Sequence, residues 1–406
     1  MTFDLPLAQV DAGRIEALRA DGVREGRQLE YKEVLPSNND DDKREFLSDV
    51  TSFANTAGGD LIFGLRERRD TEGKPTGEID AVVGLQSFNL DAERLRLEAM
   101  MRDAVAPRMP PVTFHEIRRE PNPPCLLLRI PRSWAALHMV TFRNLSRFFA
   151  RGSGGKYQLD VHEIRAGFVA AETAYERLRR LRAERVTRVA GLETPVPVGD
   201  GAKLVLHALP VGGLEDAWSR FLVLIGGQAM QHETQIASML QPVGQFPATW
   251  GFNLDGYVLH TLDNDLSRQC YTQLFREGGL EIVSGRVLVR VSDGSGFYGW
   301  GMEGAVIGCF ARYQEFWRVI GVTPPLLVGL TLIGVKGWTV LRQPYHFSTA
   351  RGTFDRDVVM SPEIVMTDLN IPADIVLRPL FDFLWNGGGW AGSPNYRDGR
   401  WVAPTT

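Results

Sequence analysis

Apolar positions between residues 28 and 66 change period twice. From Gln28 to Val34, Leu29 and Tyr31 alternate with Glu30 and Lys32. That two-residue period predicts a strand with Glu30 and Lys32 on one face. Phe46, Leu47, Val50, Phe53, Ala54 and Ala57 then recur at three- and four-residue intervals, which predicts a helix over 43–57. The run from Asn38 to Asp42 offers N-caps and acids for its positive end. Gly58 offers the left-handed stop, and Leu61 to Leu65 predicts a strand over 60–66.

The same periods continue downstream. Short helices are predicted at 10–20 and 91–105, a hairpin loop at 68–80, and strands at 112–117, 125–130 and 147–151. A long helix follows from Val161 to about Arg185. Residues 190–200, with two prolines and two glycines, read as a linker between a domain at 1–189 and a second, α/β domain at 201–406. In the latter, strands are predicted at 203–209, 285–291 and 326–333, and helices at 304–320 and near 377–385. The tail from Gly387 shows little regular pattern, and no internal repeat is apparent. The fold class is α+β.

Composition narrows the classes without choosing among them. The 406 residues are 44% apolar and 23% charged, with a net charge of −4, an ordinary globular balance that excludes a chain basic throughout. Three distant cysteines, Cys125, Cys270 and Cys309, exclude a disulfide scaffold or Cys-rich zinc site and fit a reducing, cytoplasmic setting. The N-terminus lacks a signal pattern, and no apolar run reaches the roughly 20 residues that span a bilayer, so no membrane partner is expected.

Candidate chemistry sits on the first strand–helix–strand. Glu25 and Glu30 open it and Glu67 closes it. Three carboxylates around Lys32 can hold Mg2+ or Mn2+, which prefer hard oxygens. On pattern alone, a strand pair such as Glu30 and Lys32 is more often a solvated ion pair. A basic tract follows, with Arg118, Arg119, Arg129, Arg132, Arg143, Arg147, Arg151 and Lys156 interleaved by Phe142, Phe148, Phe149 and Tyr157. Such a tract suits a phosphate backbone with exposed bases; its arginines equally suit a solvated face, and its aromatics a core. Asn55 and Thr56 can reach the metal site or only cap the helix. His115, His138 and His162 with Cys125 match no zinc spacing. No GxxxxGK[ST] loop supports ATP hydrolysis.

The block E-x4-E-Y-K, followed by SFANTAGGDLIFGLRE and later by FFARGSGGKYQL, resembles the AlbA-like domain of the Schlafen family over roughly residues 23–170. The resemblance implies a mixed-sheet domain acting as a Mg2+/Mn2+-dependent endoribonuclease on tRNA or other structured RNA. It places the metal carboxylates on Glu25, Glu30 and Glu67, the last commonly Asp in animal members. Lys32, on the Glu30 face, is then expected at the scissile phosphate and the arginine tract on the backbone. Animal members clamp RNA with two lobes. A single copy here implies a homodimer, and a bacterial setting implies anti-phage defence. The competing expectation is a nucleic-acid- or nucleotide-binding regulator without turnover. The second half is expected to serve recognition or oligomerisation.

Overall fold

The computed structural model describes residues 7–87, 89–134, 137–212, 215–226, 236–243, 248–262, 264–288, 296–342 and 351–403. The chain divides into two compact units, Met1–Thr173 and Ala174–Thr406.

In the first unit, β1 (Leu29–Lys32) lies parallel to β2 (Gly59–Phe63), with Glu30 opposite Leu61 and Lys32 opposite Phe63. β2 pairs antiparallel with β7 (Asn122–Ile130), and β7 with β6 (Thr113–Arg119), giving the order β1-β2-β7-β6. Both faces of this sheet are covered. Leu61, Phe63, Leu126 and Leu128 pack with Phe46, Leu47, Val50 and Phe53 of α2 (Asp40–Ala54) and with Leu97 of α3 (Leu90–Ala104). Leu29, Tyr31, Ile62 and Leu127 pack with Ile15 and Leu18 of α1 (Ala12–Ala20). Burial on both faces explains the unbroken apolar runs of β2 and β7. A second sheet runs β10-β9-β8-β5, built from β5 (Val105–Ala106), β8 (Met139–Phe142), β9 (Leu145–Gly152) and β10 (Gly155–Gln158).

Local chemistry sets the ends of α2. Asn39 caps it by accepting from the Asp42 amide at 2.7 Å, so the helix starts earlier than its apolar period. Gly58 adopts φ +69° and its amide donates to the Phe53 carbonyl at 2.9 Å. Gly59 is needed for a different reason. A Cβ there would lie 2.5 Å from the Phe53 ring and 2.6 Å from the Gln28 carbonyl. Gly59→Ala is therefore expected to destabilise the first unit by about 1–3 kcal/mol through overpacking. A urea midpoint unchanged from the parent would contradict this.

The strand expected over 60–66 breaks at Gly64, which takes φ +96°. Glu67 consequently sits on β3 (Leu65–Arg69), in a separate hairpin with β4 (Pro75–Val82), where bulges flank it.

In the second unit, β12 (Ala248–Phe252), β13 (Gly256–Thr261), β14 (Cys270–Phe275), β15 (Leu280–Ser284), β11 (Lys203–Pro210), β17 (Leu326–Ile333) and β19 (Val358–Met360) follow one another in an antiparallel sheet. β20 (Ile364–Met366) adds to β17, and β16 (Gly296–Tyr298) pairs parallel with β18 (Thr339–Leu341). After α4 (Val161–Ala190) and α5 (Glu215–Gly226), helix α6 (Gly299–Ile320) packs Met302, Val306, Phe310, Tyr313 and Trp317 into the core of the second unit. Two expectations are corrected here. Residues 285–288 form a bend rather than a strand: the strand ends at Ser284, and Gly285 is pressed onto the Ser267 carbonyl, where a Cβ would lie 2.0 Å away. Residues 289–291 lie outside the described residues. The tail is also ordered by a specific partner. After α7 (Ala373–Gly387), β21 (Tyr396–Arg397) and β22 (Arg400–Trp401) form a hairpin. The buried Glu303 carboxylate accepts from Trp385 Nε1 at 2.7 Å, Asn395 Nδ2 at 2.7 Å and Trp401 Nε1 at 2.8 Å. The stretch 190–200 is packed, with Val196 and Val198 buried beside Val205, Tyr271 and Val283. Among the described residues, no helix is long and apolar enough to cross a membrane.

Candidate active site and nucleic-acid interface

The alternation of β1 turns Leu29 and Tyr31 into one core and leaves Glu30 and Lys32 facing α2. There, Glu45 and Asp49 stand one turn apart. Lys32 Nζ lies 3.0 Å from Glu30, 2.7 Å from Glu45 and 3.5 Å from Asp49. Asp49 is 1% exposed and also pairs with Lys156 Nζ at 2.8 Å. Burial pushes the Asp49 carboxyl up, and the two lysines oppose this. Glu30 is gripped from its other side by Arg151, a 2%-exposed residue. Arg151 also donates Nε to the Gly26 carbonyl at 3.2 Å and lies 4.2 Å over the Phe53 ring. Burial alone would raise Glu30. Arg151 and Lys32 outweigh it and hold the carboxyl below its ordinary value.

Glu25 and Glu67, forty-two positions apart in the sequence, meet at Gly77 of β4. The Glu25 amide donates to the Gly77 carbonyl at 2.8 Å, and the Gly77 amide donates to Glu67 Oε1 at 2.7 Å. Glu25 Oε1 accepts from the Tyr31 amide at 2.7 Å. Burial first, then the charges of Glu30 and Glu67, push Glu25 up to about 8 against the pull of that amide and of Lys32. The donor set is hard oxygen, and its burial and crowding disfavour the negative charge of Glu25, a cost that a divalent cation such as Mg2+ or Mn2+ would relieve. The grouping is looser than a formed metal centre: among the described residues, no three His, Cys, Asp or Glu side chains gather as one metal-holding set.

The arginine tract disperses once folded. Arg118 and Arg119 lie on β6, the first exposed and 4.0 Å from Glu116, the second donating to the Pro123 carbonyl at 3.2 Å. Arg129 is a structural ion pair with buried Asp60 at 2.8 Å. Arg143 pairs with Asp40 at 3.2 Å, and Arg147 is exposed on β9. Only Arg132 and Arg151 of the tract line a cleft of about 570 Å³ beside the acids, together with Arg27, Thr56, Ser153 and Tyr157. Arg132 stacks 3.6 Å over the Trp134 ring, and burial and then the charge of Arg27 push its pKa down.

Sequence reasoning missed Arg27, Glu45 and Asp49. The five-residue spacing of Glu25 and Glu30 draws attention past Arg27. Asp49 lies inside a helical run buried from Phe46 to Ala54, where a carboxylate without a sequence neighbour of opposite charge was the available signal. Asn55 serves structure: Nδ2 donates to the His138 and Phe149 carbonyls, each at 2.9 Å, and Oδ1 accepts from the His138 amide at 2.7 Å. Thr56 Oγ1 accepts from the Arg151 amide at 2.9 Å. His115 and His138 sit on the Val10 and Pro107 carbonyls at 2.9 and 2.8 Å, and Cys125 is buried.

Residues 25–160 match the family described as Schlafen, AlbA_2. Residues 381–402 match the WXXGXW repeat in two copies. These fall on Trp385–Trp390 and on Tyr396–Trp401, where Tyr stands in the first Trp position. The repeat overturns the expectation that the tail has none. No curated protein matches the chain. Among solved structures, the chain is similar to the N-terminal domain of a RecG-related protein from Nitrosomonas europaea, at 19% identity over 29% of this chain and 71% of that one, with a TM-score of 0.22. It is also similar to the DIP2311 protein from Corynebacterium diphtheriae, at 18% identity over 36% of this chain and 27% of that one, with a TM-score of 0.23.

Proposed function

We propose that the chain, whose residues 25–160 match the Schlafen, AlbA_2 family, binds structured RNA such as tRNA and hydrolyses its backbone as a divalent-metal-dependent endoribonuclease. The observation that carries the reading is that Gly77 joins the Glu25 backbone to the Glu67 carboxylate, with the Glu25 carboxyl near enough to feel the charges of Glu30 and Glu67 and an arginine-lined cleft alongside. Glu25, Glu30 and Glu67 would hold Mg2+ or Mn2+. A bound ion of this kind supplies an activated water and neutralises charge on the phosphate. Lys32, kept protonated by Asp49 and Glu30, would sit at the scissile phosphate. Arg27, Arg132 and Arg151 would hold the strand. By family analogy, a homodimer would supply a second lobe, in the cytoplasm and in anti-phage defence.

One observation favours a second reading, binding without turnover: Arg151 and Lys32 occupy the two Glu30 oxygens between them. Incubation of the purified chain with bulk tRNA and Mn2+ separates the two. Cleavage by the parent, abolished in Glu30→Ala and in Glu67→Ala, is the expected result. Binding without cleavage in either Mg2+ or Mn2+ would leave only the second reading.

A further inference from the structure

The cleft beside the acids has the makings of a nucleotide site in its own right. Arg27 and Arg132 are exposed neighbours, and neither has a carboxylate within ion-pair distance among the described residues. Two guanidinium groups crowded together without a counter-charge cost free energy that an anion would relieve. Deeper in, the Arg151 side chain is fully buried and held by Gly26 and Glu30, so it adds positive charge behind the cleft wall without facing a ligand.

The rest of the wall suits a base. Tyr157 presents a 44%-exposed ring, and its hydroxyl is fixed by donation to Glu163 Oε1 at 3.0 Å. The other Glu163 oxygen accepts from the Asp160 amide at 2.9 Å, so this carboxylate is already engaged. A part-exposed aromatic ring held by its hydroxyl offers a base a stacking partner at little rotamer cost. A volume of about 570 Å³ accommodates one nucleotide.

We propose that this cleft takes one nucleoside monophosphate unit, its phosphate on Arg27 and Arg132 and its base on Tyr157. The proposal rests on the nucleic-acid reading above for its ligand class, but requires neither metal nor cleavage. The same chemistry is offered by a nucleotide within an RNA strand and by a free mononucleotide.

The test is fluorescence anisotropy of a short fluorescein-labelled single-stranded RNA with the full chain in EDTA, over a salt series. The Arg27→Gln/Arg132→Gln double variant should bind roughly tenfold to a hundredfold more weakly, as expected when charge-assisted hydrogen bonds are removed. Its salt slope should fall by about 1 to 2. Tyr157→Ser should weaken binding roughly fivefold or more. Arg102→Gln, on an exposed face of α3, should leave both readouts unchanged. AMP, GMP, CMP and UMP as competitors identify the source: displacement by a mononucleotide assigns the site to free nucleotides as well, and failure to displace assigns it to the strand, each supporting the proposal provided the variants weaken binding. RNA binding by the double variant with the parental affinity and salt slope would overturn it. Absence of cleavage would not, so the two readings fail separately.

Discussion

Replacing Glu281 with alanine should lower the stability of the second unit by about 3–5 kcal/mol, the cost of removing one member of a buried ion pair. Glu281 has no exposed surface. Its Oε1 accepts from Arg185 Nη2 at 2.6 Å and the Tyr271 hydroxyl at 2.9 Å, while Oε2 accepts from Arg185 Nε at 2.9 Å and His207 Nε2 at 2.9 Å. All four acceptor positions are thus filled, and removing the carboxylate leaves Arg185, a 4%-exposed residue, with the part-exposed Asp255 at 3.3 Å as its remaining carboxylate partner among the described residues. Urea unfolding measures the loss. The Arg185→Met/Glu281→Leu double variant should recover much of it, because no charge is then left buried alone. A single variant within about 1 kcal/mol of the parent would show the network to be dispensable.

The same network predicts an acid limb. Burial would raise Glu281, yet Arg185 and His207 hold it at about 2, below its ordinary 4.5. Its contribution is therefore present above pH 4.5 and lost as pH falls toward 2. Burial pushes His207 below its ordinary 6.5. The unfolded chain takes up a proton there before the folded one does, so stability begins to fall as pH drops below about 6.5. In Glu281→Gln, the lower part of this limb should flatten.

Elements with a strong local period could be read from the sequence because burial acts on neighbours in the chain. The β1 alternation puts Tyr31 inside and Lys32 on the α2 face, and β17 runs over Leu326–Ile333, where its apolar stretch lies. The site is less legible because it depends on distant partners. Nothing in the run GKPTGEID marks Gly77 as the residue on which Glu25 and Glu67 meet. Closeness along the chain also misleads. Arg118, Arg129 and Arg151 belong to one tract in sequence, yet end on an exposed strand face, in an ion pair with Asp60 and under Glu30. The tail shows little pattern of its own because Trp385 and Trp401 are ordered by a distant partner, Glu303, 82 and 98 residues earlier, which lies between their indoles.

Arg151→Met should cost the first unit about 3–5 kcal/mol and should change its response to metal. Methionine keeps apolar volume against Phe53 but removes the charge on Glu30 and the bond to Gly26. Glu30 is then left half-buried with Lys32 as its remaining partner. If Glu25, Glu30 and Glu67 take a divalent ion, that ion competes with Arg151 for Glu30. Mn2+ should therefore stabilise Arg151→Met more than the parent, by up to about 2.7 kcal/mol at a hundred times its dissociation constant. Adding Glu30→Gln should recover part of the lost stability and abolish the extra Mn2+ response, since neither the stranded charge nor the oxygen donor remains. Thermal unfolding with and without Mn2+ across the three proteins reads both effects. A Mn2+ shift of equal size in Arg151→Met and in the Glu30→Gln double variant would place the ion away from Glu30 and leave Arg151 a purely structural clamp.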